Sequence, residues 1–166
     1  MRVRPDRWLI VIFIMAVSVL TPSICDANAE RSTLIEELLR EVNTHRALNG
    51  VSPLRLNAKL TAAAQKHAEN MARGGFFDHH SPNGRGFKER VSSQGYRWQI
   101  ISENLSAGLV SPRDTSDAWM TSPDHRDNML NRYFDEAGIG YFRPYAEGKR
   151  PQYPHYWVML FAARSQ

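Results

Sequence analysis

The sequence predicts an α+β fold, a three-layer α-β-α sandwich whose small, mainly antiparallel central sheet is flanked by helices. Three observations carry this. Residues 156–162 are apolar at every position, with Tyr156, Val158, Leu160 and Ala162 pointing one way and Trp157, Met159 and Phe161 the other. A strand apolar on both faces must be covered on both faces. Residues 137–142 form a second strand pattern, joined to the first by a loop (143–154) that holds three prolines and a glycine, so the two strands should pair antiparallel. Much of the remaining chain has helical periodicity with clear start and stop signals, which supplies the covering layers.

Size and composition set the frame. A chain of 166 residues, 42% hydrophobic and 23% charged, is expected to fold as one domain. Its beginning reads differently. Residues 1–7 carry three arginines, residues 8–20 are an unbroken run of apolar or small side chains, and Ala27-Asn28-Ala29 follows. That is the three-part pattern of a secretory signal. A membrane span needs about 20 apolar residues, and this run stops short at Thr21-Pro22. A lipid anchor on Cys25 is disfavoured because Ser23-Ile24 is a poor approach to a lipidation site. The expected division is therefore a signal segment, 1–29, and a domain, 30–166, secreted or periplasmic. Cleavage after Ala29 removes Cys25, the only cysteine, so the mature chain has no thiol nucleophile and no disulfide. It keeps three more basic than acidic residues, against four in the full chain. That mild excess permits loose attraction to an anionic cell surface. No Lys/Arg block stands out, which argues against nucleic acid as a partner. The expected partner is an extracellular ligand of cell-wall, lipid or protein character, and the expected state is a monomer.

The elements follow in order. Thr33 to Glu36 can form a capping box that starts a helix, with Leu34, Leu38, Val42, Ile35 and Leu39 on its apolar face and Asn49-Gly50 as its stop. Residues 51–54 are extended because Pro53 disfavours a helical neighbour. Asn57 caps a second helix running to about Arg73, with Leu60, Ala64, Ala68 and Met71 on one face. His67 falls on that face too, and its spacing favours a packed histidine over a ligand. Gly74-Gly75 stops the helix, and Ser81-Pro82-Asn83-Gly84 marks a turn. A short helix over about 86–94 ends at Gly95. Residues 96–106 read as an extended stretch carrying Glu103. Ser111-Pro112 and Ser122-Pro123 each open a helix, serine as cap and proline at the first position. In the second of these, Asp124 and His125 occupy the first turn, where the helix dipole favours the acid and disfavours a charged imidazole.

These stretches carry a resemblance. Glu41-Val-Asn-Thr-His-Arg46 with Pro53-Leu54, residues 62–71 with Phe77-Asp78-His79, Ser102-Glu103-Asn104-Leu105, residues 118–126, Glu136-Ala-Gly-Ile-Gly140 and residues 157–161 occur in the order found in the CAP superfamily. That group comprises the cysteine-rich secretory proteins, antigen 5 and plant pathogenesis-related proteins, and the chain resembles its bacterial secreted form, the SCP domain. The resemblance implies the α-β-α sandwich and a cleft holding two histidines and two acids. Matching Phe-x-His-x-Ser-Pro-x-Gly onto residues 77–84 selects His79 rather than His80, which reads as a solvated loop residue. His79 and Glu103 match the general pattern; His125 and Glu136 match the bacterial form alone. Ser102 and Asp124 stand where glycine is usual, and the cysteine-rich tail of animal members is absent.

Two neutral imidazoles and two carboxylates suit a divalent ion, zinc first, so His79, Glu103, His125 and Glu136 form the expected metal set. The alternative is a metal-free hydrogen-bond network that ties three loops together. Neither a Gly-x-Ser-x-Gly elbow nor a His-Glu-x-x-His helix is present. The leading expectation is a secreted binding or interaction module, with catalysis left open. A metal-dependent hydrolase of cell-wall or peptide material, and a sterol or lipid carrier, are the alternatives.

Overall fold

A computed structural model describes residues 24–144 and 151–165. The signal-like run 8–20 and part of the proline-bearing loop lie outside the described residues. Helix α1 (Ile24–Leu48) leads to β1 (Arg55–Leu56), α2 (Ala58–Gly74), α3 (Phe87–Ser92) and β2 (Trp98–Ala107). Helices α4 (Pro112–Thr121) and α5 (Pro123–Leu130) then precede β3 (Glu136–Phe142) and β4 (Tyr156–Arg164). Among the described residues no helix is long and apolar enough to cross a membrane.

The sheet order is β1-β3-β4-β2. β4 lies between β2 and β3 and pairs antiparallel with both, so the strand that is apolar on both faces is an interior one. Trp157, Met159 and Phe161 pack with Ile35, Leu38 and Val42 of α1, Trp119 of α4 and Met129 of α5. Tyr156, Val158, Leu160 and Ala162 pack on the other face with Leu60, Ala64, Ala68 and Met71 of α2 and Val91 of α3. The expected sandwich is thus built, each face of β4 owning its own core. Burying one such side chain contributes about 1.5–3 kcal/mol.

The approach of α2 to β3 depends on two glycines. A methyl group on Gly138 would fall on the backbone of Leu60, and one on Gly140 on the backbone of Ala64. Only a residue without a side chain lets helix and strand come this close.

Two boundaries differ from the sequence reading. The capping box at Thr33 is not used, because α1 already runs from Ile24. The Thr33 hydroxyl instead donates to the carbonyl of Ala29, one turn back. Ala27, Ala29, Glu30 and Arg31 are good helix formers and carry the helix through this point. The expected cleavage point after Ala29 therefore falls inside α1. Strand β1, just beyond the extended residues 51–54 and not expected from the sequence, pairs in parallel with Glu136 and Ala137, a tertiary contact that two residues do not announce. The other caps agree: Asn57 accepts from the amides of Lys59 and Leu60, Ser111 from that of Asp114, and Gly75 closes α2 at φ 65°. Ser122 holds the cap position of α5 without a side-chain capping bond.

Candidate functional site

Strand β2 is an edge strand, and its alternation builds the site. Glu103 pairs with Leu160 and faces the α2–α3 side, whereas Ser102 and Asn104 pair with Phe161 and Met159 and face the α4–α5 side. The Glu103 side chain is 1% exposed and is held through both oxygens. His79 Nδ1 donates to Oε1 at 2.8 Å, and Arg90 Nη2 donates to Oε2 at 2.6 Å. Arg90 Nη1 also donates to the carbonyls of His79, at 2.7 Å, and Arg85, at 3.2 Å. One guanidinium therefore neutralises the buried acid and fixes the loop that carries the histidine. Because Nδ1 must donate to a carboxylate, Nε2 of a neutral His79 is left as a lone-pair donor, on a side chain 44% exposed.

His67 belongs beneath this loop. It is fully buried on α2, and its Nε2–H donates to the carbonyl of Asp78 at 2.9 Å. Burial first, then the charge of Arg90, hold it below its ordinary pKa and keep it neutral. It anchors the residue just before His79, as its helical spacing suggested. His80 is exposed, and its amide donates to the side chain of Asp78.

The other half of the site comes from the opposite sheet face. Ser102 Oγ donates to Asn128 Oδ1 at 2.7 Å, Asn128 Nδ2 donates to Asn104 Oδ1 at 2.8 Å, and Asn104 Nδ2 donates to the carbonyl of His125 at 3.0 Å. This chain fastens the first turn of α5 to β2. It brings the half-buried His125 close enough to His79 that a charge on His79 disfavours a charge on His125. Burial first, then His79, lowers its pKa and favours the neutral imidazole.

Glu136 stands apart. It pairs across the sheet with Ala162, so β4 separates it from Glu103 by two strand spacings, about 10 Å. Its carboxylate accepts from Asn57 Nδ2 at 2.9 Å and from the Tyr96 hydroxyl at 2.6 Å. Burial pushes its pKa up, but those two bonds and the charges of Arg164 and Arg55 outweigh it and leave the group below its ordinary value. Burial, then Glu136 itself, raises the Tyr96 hydroxyl correspondingly.

The donor set therefore differs from the expected four. His79 and Glu103 meet at the β2 edge, His125 lies near enough to His79 to feel its charge, and Glu136 serves a different junction, between the α2 cap and Tyr96. Among the described residues no group of three or more His, Cys, Asp and Glu side chains is placed to hold a metal. Both oxygens of Glu103 are engaged within the protein, by His79 and Arg90.

Sequence reasoning missed Arg90. The signal was present: Phe87, Arg90 and Val91 share one face of a short helix, and an arginine on an apolar face needs a buried acceptor. Arg46 closes the Glu41-Val-Asn-Thr-His-Arg46 stretch. It is fully buried and donates to the carbonyls of Ser52, Met129, Asn131 and Phe134, joining α1 to the end of α5.

Known proteins share both sequence and fold with this chain. An uncharacterized protein of Bacillus subtilis, YkwD, is 29% identical over 121 residues, which are 73% of this chain and 47% of that protein. A second Bacillus subtilis relative, the uncharacterized membrane protein YlbC, is 25% identical over 69% of this chain and 33% of its own length. The chain thus spans half or less of these relatives. An extracellular protein containing an SCP domain from Bacillus anthracis superposes with a TM-score of 0.74 at 19% identity, over 87% of this chain and 45% of that one. An outer surface protein of Borrelia burgdorferi gives 0.71 at 19% identity, over 80% of this chain and 94% of its own. At such identities the structural likeness speaks for the fold. The model of the CAP family, described as the cysteine-rich secretory protein family, matches residues 39–161, and with three-quarters of its length so matched the chain belongs to that family.

Proposed function

We propose that the chain is an exported CAP-domain binding module whose site is the imidazole pair His79 and His125 at the β2 edge. One observation carries the reading: Glu103 is buried and committed through both oxygens, to Arg90 and to His79. A carboxylate so held orients an imidazole and is not free to shuttle protons. Glu103 and Glu136 occupy separate networks, which speaks against their use as an acid/base pair. Export is supported by the signal-like pattern of residues 1–29, and by the extracellular and outer-surface descriptions of the two structural relatives. Where a divalent ion takes part, His79 and His125 would hold it, and it would offer open coordination positions to an external ligand.

The test is zinc titration by calorimetry into chelator-treated protein at pH 7, run beside a hydrolysis assay on peptidoglycan fragments. Zinc binding should weaken at least tenfold in His79→Ala and in His125→Ala, and should persist in Glu136→Gln. Indifference of zinc binding to both histidines would reject the imidazole site. Turnover of the fragments that Glu103→Gln abolishes would replace the binding module with the hydrolase.

A further inference from the structure

A cavity of about 620 Å³ opens beside α2 and α3, between the second half of α2 and the segment 81–94. Its charged lining is entirely basic: Lys66, Arg73, Arg85 and Arg90, with no Asp or Glu among the described residues that line it. Arg90 is committed to Glu103, but the other three cations have no acidic partner among the described residues. Lys66 Nζ reaches Gln94 Oε1 at 3.4 Å, and the Arg73 guanidinium lies 5.5 Å from the Phe142 ring centroid. The acids closest in sequence form no ion pair with them: Glu69 accepts from the Gln65 amide and Glu89 from the backbone amide of Gly86.

We propose that this cavity is a second site, distinct from the imidazole pair, that binds a phosphate ester or pyrophosphate-type anion. Three side chains of one sign around a concavity repel one another and create a positive potential that an anion relieves. A carboxylate carries a single charge and is satisfied by one guanidinium. Three cations without an ion-pair partner match a group with two or more negative charges and several acceptor oxygens. Asn70, Asn83 and Ser81 add neutral donors to the wall, and Phe76 gives an apolar flank for the body of the ligand. The volume falls within the range of about 300–1,000 Å³ common for small-ligand sites.

The test uses sodium pyrophosphate in calorimetry with chelator-treated full-domain protein, at about 50 mM and about 200 mM salt. Parallel sedimentation uses phosphatidylcholine vesicles with and without phosphatidylglycerol. Binding should weaken as salt rises. Lys66→Gln, Arg73→Gln and Arg85→Gln should each weaken it roughly three- to tenfold, and the triple variant should lose it while keeping its melting temperature. Arg113→Gln, on α4 across the sheet, should change nothing. Vesicle binding that needs phosphatidylglycerol and fails in the triple variant assigns a lipid headgroup as the source. Pyrophosphate binding without vesicle binding assigns a free phosphate compound. A triple variant that binds like the parent, or a parent that binds neither probe, overturns the proposal. Because metal is removed throughout, failure here does not touch the imidazole site.

Discussion

Arg90 and Glu103 form a buried ion pair, 2.6 Å from Nη2 to Oε2, with side chains 9% and 1% exposed. The pair joins α3 to β2, and through Glu103 it also orients His79. Removing one partner of such a pair leaves a buried charge uncompensated. Arg90→Met should therefore destabilise the domain by about 3–5 kcal/mol in urea denaturation, while the double variant Arg90→Met/Glu103→Leu should recover much of that loss. A single variant as stable as the parent would show that the pair is open to water.

Gly138 is expected to be as restrictive as any core residue. Gly138→Ala places a methyl group against the Leu60 backbone, which cannot move without shifting α2. The cost should be about 1–3 kcal/mol, at the upper end because the obstacle is backbone. The same change at Gly84, where the space is open, tests a different quantity: there the positive φ of 79° alone is penalised. Equal melting temperatures for Gly138→Ala and the parent would mean that helix and strand are not in contact.

Glu136 should make the domain acid-sensitive. Its folded-state pKa lies below its ordinary value of 4.5, so the unfolded chain takes up the proton first. Its contribution is present above about pH 4.5 and is lost as pH falls through the folded-state pKa. Glu136→Gln should lower the melting temperature at pH 7, and the gap to the parent should narrow as the pH falls below 4.5. A gap that stays constant over that range would show that the carboxylate charge is not what Asn57 and Tyr96 hold.

The layers of this fold were legible in the chain because their causes are local or periodic. Seven consecutive apolar residues demanded a strand covered twice. Asn57, Ser111-Pro112 and Asn49-Gly50 placed helix ends through bonds that reach only a few residues. His67 was read as a packed histidine from helical spacing alone, and it is one. The motif order also pointed to the family, and to His79 and Glu103 as neighbours. What the tertiary structure decided is which distant groups share a partner. Arg90 neutralises an acid on another element, Ser102 and Asn104 tie α5 to the far face of β2, and Tyr96 with Asn57 draws Glu136 away from the histidines. None of these follows from spacing, because each depends on the register of β2 and β3 against β4. A shift of one residue would exchange the faces that Glu103 and Asn104 occupy. The sequence determined which side chains were available for a site; the pairing of the strands decided which of them meet.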